Sequence, residues 1–250
     1  MTPTIAYIQA KTEGGPIRGS SSTSDRLSPR TGAIRNVDFR GPAGRLEAVL
    51  NLGKADAPFA ALVCHPHPVF GGNLHNKVVY HAMKALNDPE WGLGWPVLRF
   101  NFRGMGLSEG KHEGLAEVGD VLAAFDWLET ELSRPLVVVG FSFGAAIALR
   151  ACCCEEGDGH DLRAVAALGL PLVVEGPAYR YPFLKQLAVP KLFVSGDRDV
   201  FSPPLELAQL FASAAEPKQL VSLPEADHFF TGQIETMQRA IADWMKEQLL

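Results

Sequence analysis

Three groups of residues in this chain have the types and spacing for acyl-transfer chemistry. Gly140-Phe141-Ser142-Phe143-Gly144 matches the pattern G-x-S-x-G, between the apolar run Leu136–Val139 and an Ala-rich stretch from Ala145. A serine on a tight strand-to-helix turn has a strained backbone, so the positions two residues away must be tiny to avoid collision. Such a turn lifts Oγ clear of a sheet and sets it at a helix N-terminus, whose partial positive charge favours a developing anion. A hydroxyl nucleophile needs a base, and the base needs a group that orients it. His228, within Leu223-Pro224-Glu225-Ala226-Asp227-His228-Phe229-Phe230, is the candidate base. Asp197 and Asp199, shortly after the run ending at Val194, are both candidate orienting acids, with Asp199 preferred. Asp227 adjoins the base in sequence, and its side chain is expected to point elsewhere.

These groups can meet only if the elements carrying them end at one edge of a sheet. Apolar runs at Val37–Phe39, Leu46–Leu52, Phe59–Cys64, Pro96–Phe100, Leu136–Val139, Val165–Leu170, Lys191–Val194 and Gln219–Leu223 read as strands. Helical spacing of apolar residues marks Leu74–Leu86, Gly114–Leu132, Ala145–Cys154, Leu205–Ala214 and Gln233–Leu249. Near-continuous Val/Leu strands alternating with helices predict a three-layer α/β/α sandwich around a mostly parallel, doubly wound sheet of about eight strands. In such sheets ligands bind beyond the carboxyl ends of the strands, which is where all three groups fall.

Composition agrees with one globular domain. The 250 residues are 47% hydrophobic and 20% charged with a net charge of −5, which excludes disorder for the bulk of the chain. The mild acidity argues against a nucleic-acid partner. No apolar run is long enough to span a bilayer, and the N-terminus has no secretory core, so a cytoplasmic location is expected. Residues 1–45 carry seven Lys/Arg against three Asp/Glu, and Gly14–Gly32 is rich in Gly, Ser and Thr. Residues 1–34 are therefore expected to form a flexible tail, with organelle targeting as the alternative, and 35–250 a single domain. Cys64 and the run Cys152-Cys153-Cys154 read as small apolar fillers.

The motifs together resemble the α/β-hydrolase superfamily, closest to its small, lidless hydrolases with an HPHP…GG segment, related to dienelactone hydrolases and serine esterases. The matching residues are Cys64-His65-Pro66-His67-Pro68-Val69-Phe70-Gly71-Gly72-Asn73, Asn76-Lys77-Val78-Val79, Leu98–Gly106 with Ser108 and Gly110, Gly140–Gly144, and Ala226–Phe230. The resemblance implies a Ser142 nucleophile, a His228 base and an acid in a Gly-x-x-Asp placement, which selects Asp199 counting from Gly196. It also implies an oxyanion hole with the Phe143 N–H as one donor and the second from the loop after Phe59–Cys64. Pro66 and Pro68 have no N–H, leaving His67, with Val69 and Phe70 as alternatives.

The expected activity is hydrolysis of small to medium carboxylic esters or thioesters through an acyl-enzyme, with no cofactor. Phe70, Phe141, Phe201 and Phe229 are the candidate substrate contacts. The expected partner is a small-molecule ester or thioester, with neither nucleic acid nor membrane, and homodimerisation is left open. Two alternatives stand beside this reading. One is a non-catalytic module of the same fold that binds a ligand or a protein. The other is a metal-dependent hydrolase using His65 and His67, whose H-x-H spacing would need a further ligand such as His75, His81 or His112. The interval Pro171–Ala188, where relatives carry a cap domain, is only 18 residues, so no cap is expected.

Overall fold

The computed structural model describes residues 33–155 and 157–250. Residues 1–32, nearly all of the expected tail, lie outside the described residues. In chain order the first elements are β1 (Ile34–Gly41), β2 (Gly44–Asn51), β3 (Ala60–Cys64), α1 (Lys77–Asn87), β4 (Val97–Phe100) and α2 (Val118–Leu132). They are followed by β5 (Leu136–Phe141), α3 (Phe143–Ala151), β6 (Leu162–Leu168), β7 (Lys191–Gly196), α4 (Pro204–Ser213), β8 (Lys218–Leu223) and α5 (Ile234–Leu249).

One eight-stranded sheet runs in the order β1-β2-β4-β3-β5-β6-β7-β8. The pairs β1–β2 and β2–β4 are antiparallel, and every pair from β4 to β8 is parallel. Side chains alternate across a strand, and this alternation builds the three layers. From β3 and β5, Leu62, Cys64, Leu136 and Val138 pack with α2 and α3 on one face. Val63, Val137, Val139 and Phe141 pack with α1 and α5 on the other. The central strands β3, β4 and β5, covered on both faces, are buried at every residue. They are apolar except for Arg99 of β4, whose guanidinium donates to Leu74 O and Asn51 Oδ1.

The element boundaries depart from the apolar pattern where polar groups take over the backbone. β1 begins at Ile34, inside the segment expected as tail, and its first residues are exposed on an edge strand. The first helix starts at Lys77 rather than Leu74, because the Asn76 side chain accepts the Val78 N–H at 2.9 Å and caps it there. Leu74 is buried in the preceding loop, where its N–H donates to Asn101 Oδ1 at 2.8 Å. The second starts at Val118, since Gly114 has φ +85° and cannot open a helix. Between β6 and β7 no domain is inserted; the connection holds two short 3-10 turns, Pro177–Tyr179 and Pro182–Lys185. Among the described residues no helix is long and apolar enough to cross a membrane.

Candidate active site

Ser142 is the single residue between β5 and α3, with φ 54° and ψ −121°. That left-handed φ is strained for a residue with a side chain, and both neighbouring glycines are needed to accommodate it. A Cβ on Gly140 would lie 2.4 Å from the Gly144 carbonyl oxygen. One on Gly144 would lie 2.4 and 2.5 Å from the carbonyl oxygens of Cys64 and His65. The turn is anchored by the Ser142 N–H donating to Leu168 O at 2.9 Å, while Ser142 O accepts the N–H groups of Ala145 and Ala146.

The three loops converge as the topology requires. Ser142 Oγ lies 3.0 Å from His228 Nε2, and His228 Nδ1 lies 2.8 Å from Asp199 Oδ2. A carboxylate can only accept, so Nδ1 carries the proton and Nε2 presents its lone pair to the serine hydroxyl. Asp199 is buried, and its Oδ1 accepts the N–H groups of Phe201 at 2.9 Å and Ser202 at 3.2 Å. Asp197 is exposed and does a different job: its Oδ1 accepts the Glu225 N–H at 2.7 Å, tying the β7 and β8 loops together. Asp227 makes no hydrogen bond to the imidazole among the described residues. The N–H groups of Thr231 and Phe229 bond its carboxylate and hold it below the usual range.

Gly169, just after β6, has φ +51°, and a Cβ there would sit 3.1 Å from His228 Nδ1 and 3.3 Å from Asp199 Oδ2. Gly169→Ala is expected to cost about 1–2 kcal/mol of stability through its backbone. It should also push the imidazole off its line, lowering kcat by about 10- to 100-fold. Steady-state kinetics beside a thermal melt would check this; an unchanged kcat would mean that the ring does not depend on this gap.

The two histidines of the HPHP segment make separate hydrogen bonds. His65 is fully buried; its Nδ1–H donates to Pro66 O at 2.6 Å and its Nε2 accepts the Phe102 N–H at 3.0 Å. Both nitrogens are spent on pinning the loop after β3 to the end of β4. The His67 Nδ1 accepts the Val69 N–H at 3.2 Å. Among the described residues no group of three or more His, Cys, Asp or Glu could hold a metal ion.

Burial pushes the His65 imidazole down from its ordinary 6.5 to about 4. On acidification the unfolded chain therefore takes up this proton first. The associated stability is complete above pH 6.5 and is lost as pH falls toward 4, by up to about 3 kcal/mol. Urea unfolding at pH 7 and pH 4.5 should show that loss, and His65→Asn, which keeps a donor and an acceptor but cannot titrate, should reduce it. Equal losses in both proteins would refute the assignment.

Two N–H groups near Ser142, those of Phe143 and His67, have no acceptor among the described residues. The alternatives Val69 and Phe70 both have theirs engaged, on His67 Nδ1 and His67 O.

Ser142 and His228 open onto a cavity of about 360 Å³. Phe70, Phe201 and Phe229, the candidate substrate contacts, line it, and His67 lines it too. Phe141 does not: it is fully buried, its ring 5.0 Å from that of His228. As the last residue of β5 it alternates onto the α1/α5 face, so it supports the imidazole from beneath. Sequence reasoning missed Asn76, Pro171, Val174 and Tyr179, which also line the cavity. Three of these sit in the β6–β7 connection, and the available signal was its place after a strand's carboxyl end.

Residues 72–247 match the alpha/beta hydrolase domain family. An uncharacterized protein of Rickettsia prowazekii is 36% identical over 219 residues, 84% of this chain and 87% of that protein. Among solved structures, an α/β serine hydrolase homologue from Coxiella burnetii is 29% identical with a TM-score of 0.73, covering 84% of this chain and 97% of its own. A member of the α/β serine hydrolases without a lid, from Xanthomonas campestris, is 29% identical with a TM-score of 0.74, covering 89% and 97%. The match over residues 72–247, together with the Rickettsia relative at 36% identity over most of both proteins, shows that this chain belongs to the α/β-hydrolase family.

Proposed function

We propose that the protein is a serine hydrolase that cleaves small to medium carboxylic esters or thioesters through an acyl-enzyme. The observation that carries this reading is the hydrogen-bonded chain Ser142 Oγ–His228–Asp199, which opens onto a largely apolar cavity. His228 Nε2 takes the hydroxyl proton as Ser142 Oγ attacks the carbonyl carbon. Asp199 keeps the imidazole in the required tautomer and stabilises the imidazolium that forms. The oxyanion develops toward the N–H groups of Phe143 and His67, and losing one such donor typically costs about 3–4 kcal/mol of transition-state stabilisation. His228 then gives its proton to the leaving oxygen or sulfur. Water enters and its oxygen attacks the acyl carbon as His228 takes one of its protons. The Ser142 Oγ–acyl bond then breaks, His228 returns the proton to Oγ, and the acid departs. The α/β serine hydrolase homologue from Coxiella and the lidless α/β serine hydrolase from Xanthomonas, each 29% identical over most of this chain, support the hydrolase assignment.

A fluorophosphonate probe tests the reading directly, since it reacts with an activated serine. Labelling of the wild type is expected, alongside hydrolysis of p-nitrophenyl esters. Because His65 has both nitrogens engaged, a chelator should leave that hydrolysis unchanged. Absent labelling together with chelator-sensitive turnover would replace this mechanism with a metal-dependent one.

A further inference from the structure

Asn76 lines the nucleophile's cavity but has no part in the acyl-transfer steps. It is the N-cap of α1, where its Oδ1 accepts the Val78 N–H at 2.9 Å. Only the amide oxygen can accept that bond, so the cap determines which end of the side chain is which. The NH₂ end is left with no acceptor among the described residues. It is a donor only, beside a lining otherwise dominated by Phe70, Pro171, Val174, Phe201 and Phe229. Tyr179 adds a second polar point: burial pushes its hydroxyl up to about 12, so it too remains protonated. A plain alkyl chain filling this cavity would strip water from these donors and return no bond.

We propose that Asn76 determines specificity: its Nδ2 donates to an acceptor oxygen that the substrate carries away from the scissile carbonyl. The favoured substrates are then oxo- or hydroxy-bearing esters over plain alkyl esters of the same length. This rests on Ser142 being the nucleophile.

Aspartate and serine cap helices about as well as asparagine, so Asn76→Asp and Asn76→Ser keep the α1 start while removing the amide donor. Two ester pairs read the donor: p-nitrophenyl 4-oxopentanoate against pentanoate, and 5-oxohexanoate against hexanoate. In each pair the quantity is the ratio of kcat/KM, oxo over plain. Comparing that ratio between proteins cancels the esters' intrinsic reactivity. A site built to bond a polar group discriminates strongly against analogues lacking it. In at least one pair the ratio should fall by about tenfold or more from wild type in both variants. Ratios within about twofold of wild type for both pairs and both variants would overturn the proposal and leave the nucleophile reading standing. A wild type that hydrolyses none of the four esters and takes no fluorophosphonate overturns both.

Discussion

Ser142→Ala is expected to abolish hydrolysis and fluorophosphonate labelling together, with kcat falling by about 10⁶-fold. The serine oxygen is the atom that would form the acyl bond, and none of the other cavity-lining side chains sits 3.0 Å from His228 Nε2. Residual rate should come from the oxyanion donors and the cavity alone. The same position also allows a separate stability test. Ser142 holds φ 54°, ψ −121°, a conformation that costs of order 1–3 kcal/mol for a residue with a Cβ. Glycine adopts it freely, and its extra unfolded-state entropy offsets only about 0.5–1 kcal/mol of that gain. Ser142→Gly should therefore unfold at higher denaturant than Ser142→Ala, by about 1 kcal/mol, while both are inactive. An alanine variant that retains labelling would remove Ser142 from the mechanism. A glycine variant less stable than the alanine variant would remove strain from the account of the turn.

The second large effect belongs to the acid. Asp199 Oδ1 takes two main-chain N–H groups, from Phe201 and Ser202, and Oδ2 faces His228 Nδ1. In Asp199→Asn the amide oxygen must occupy the Oδ1 position, because only an acceptor suits those two donors. The NH₂ group is then forced onto His228 Nδ1, which must give up its hydrogen. The imidazole switches tautomer, Nε2 becomes protonated, and it can no longer accept the Ser142 proton. The shape of the site survives and its chemistry does not: kcat should drop by about 10⁴-fold with little change in KM. Asp197→Asn touches only the link to Glu225 N and should cost far less. Kinetics of the two variants side by side decide the matter, and the reverse ranking would assign the acid to Asp197.

Much of this architecture was legible in the sequence for a physical reason. Strands buried on both faces cannot alternate polar and apolar residues, so runs such as Val137–Val139 stand out and their order implies a parallel sheet. The glycines of the serine turn are legible because backbone contacts there exclude any Cβ. Other details depend on information no local pattern carries. Asp197 and Asp199 lie two residues apart in one loop, and only folding exposes one and buries the other. Phe141 and Phe229 are both aromatic neighbours of the candidate triad residues. The alternation of β5 sends the first into the core, while the second, on a loop, reaches the cavity. Leu74 looks helical because it is apolar and in phase with Val78, yet Asn101 holds its backbone in a loop. Asn76 looks like an ordinary cap until the cavity beside it is seen.

Gly144 has one further consequence. Its α-carbon rests directly on the carbonyls of Cys64 and His65, so the serine turn and the loop bearing His67 touch main chain to main chain. Segments nearly eighty positions apart in the chain are thus registered by backbone contact, without a side chain between them. Of the residues lining the cavity, His67 adds a side-chain contact to that registration, its ring 5.1 Å from that of Phe143, while Phe70 and Val174 stand outside it. Phe70 and Val174 can therefore diverge, or be redesigned, while the spacing of the Phe143 and His67 N–H groups is inherited unchanged. Phe201 and Phe229 also pack on the His228 ring and are more constrained. The backbone contact makes that part of the rim evolvable independently of the serine turn.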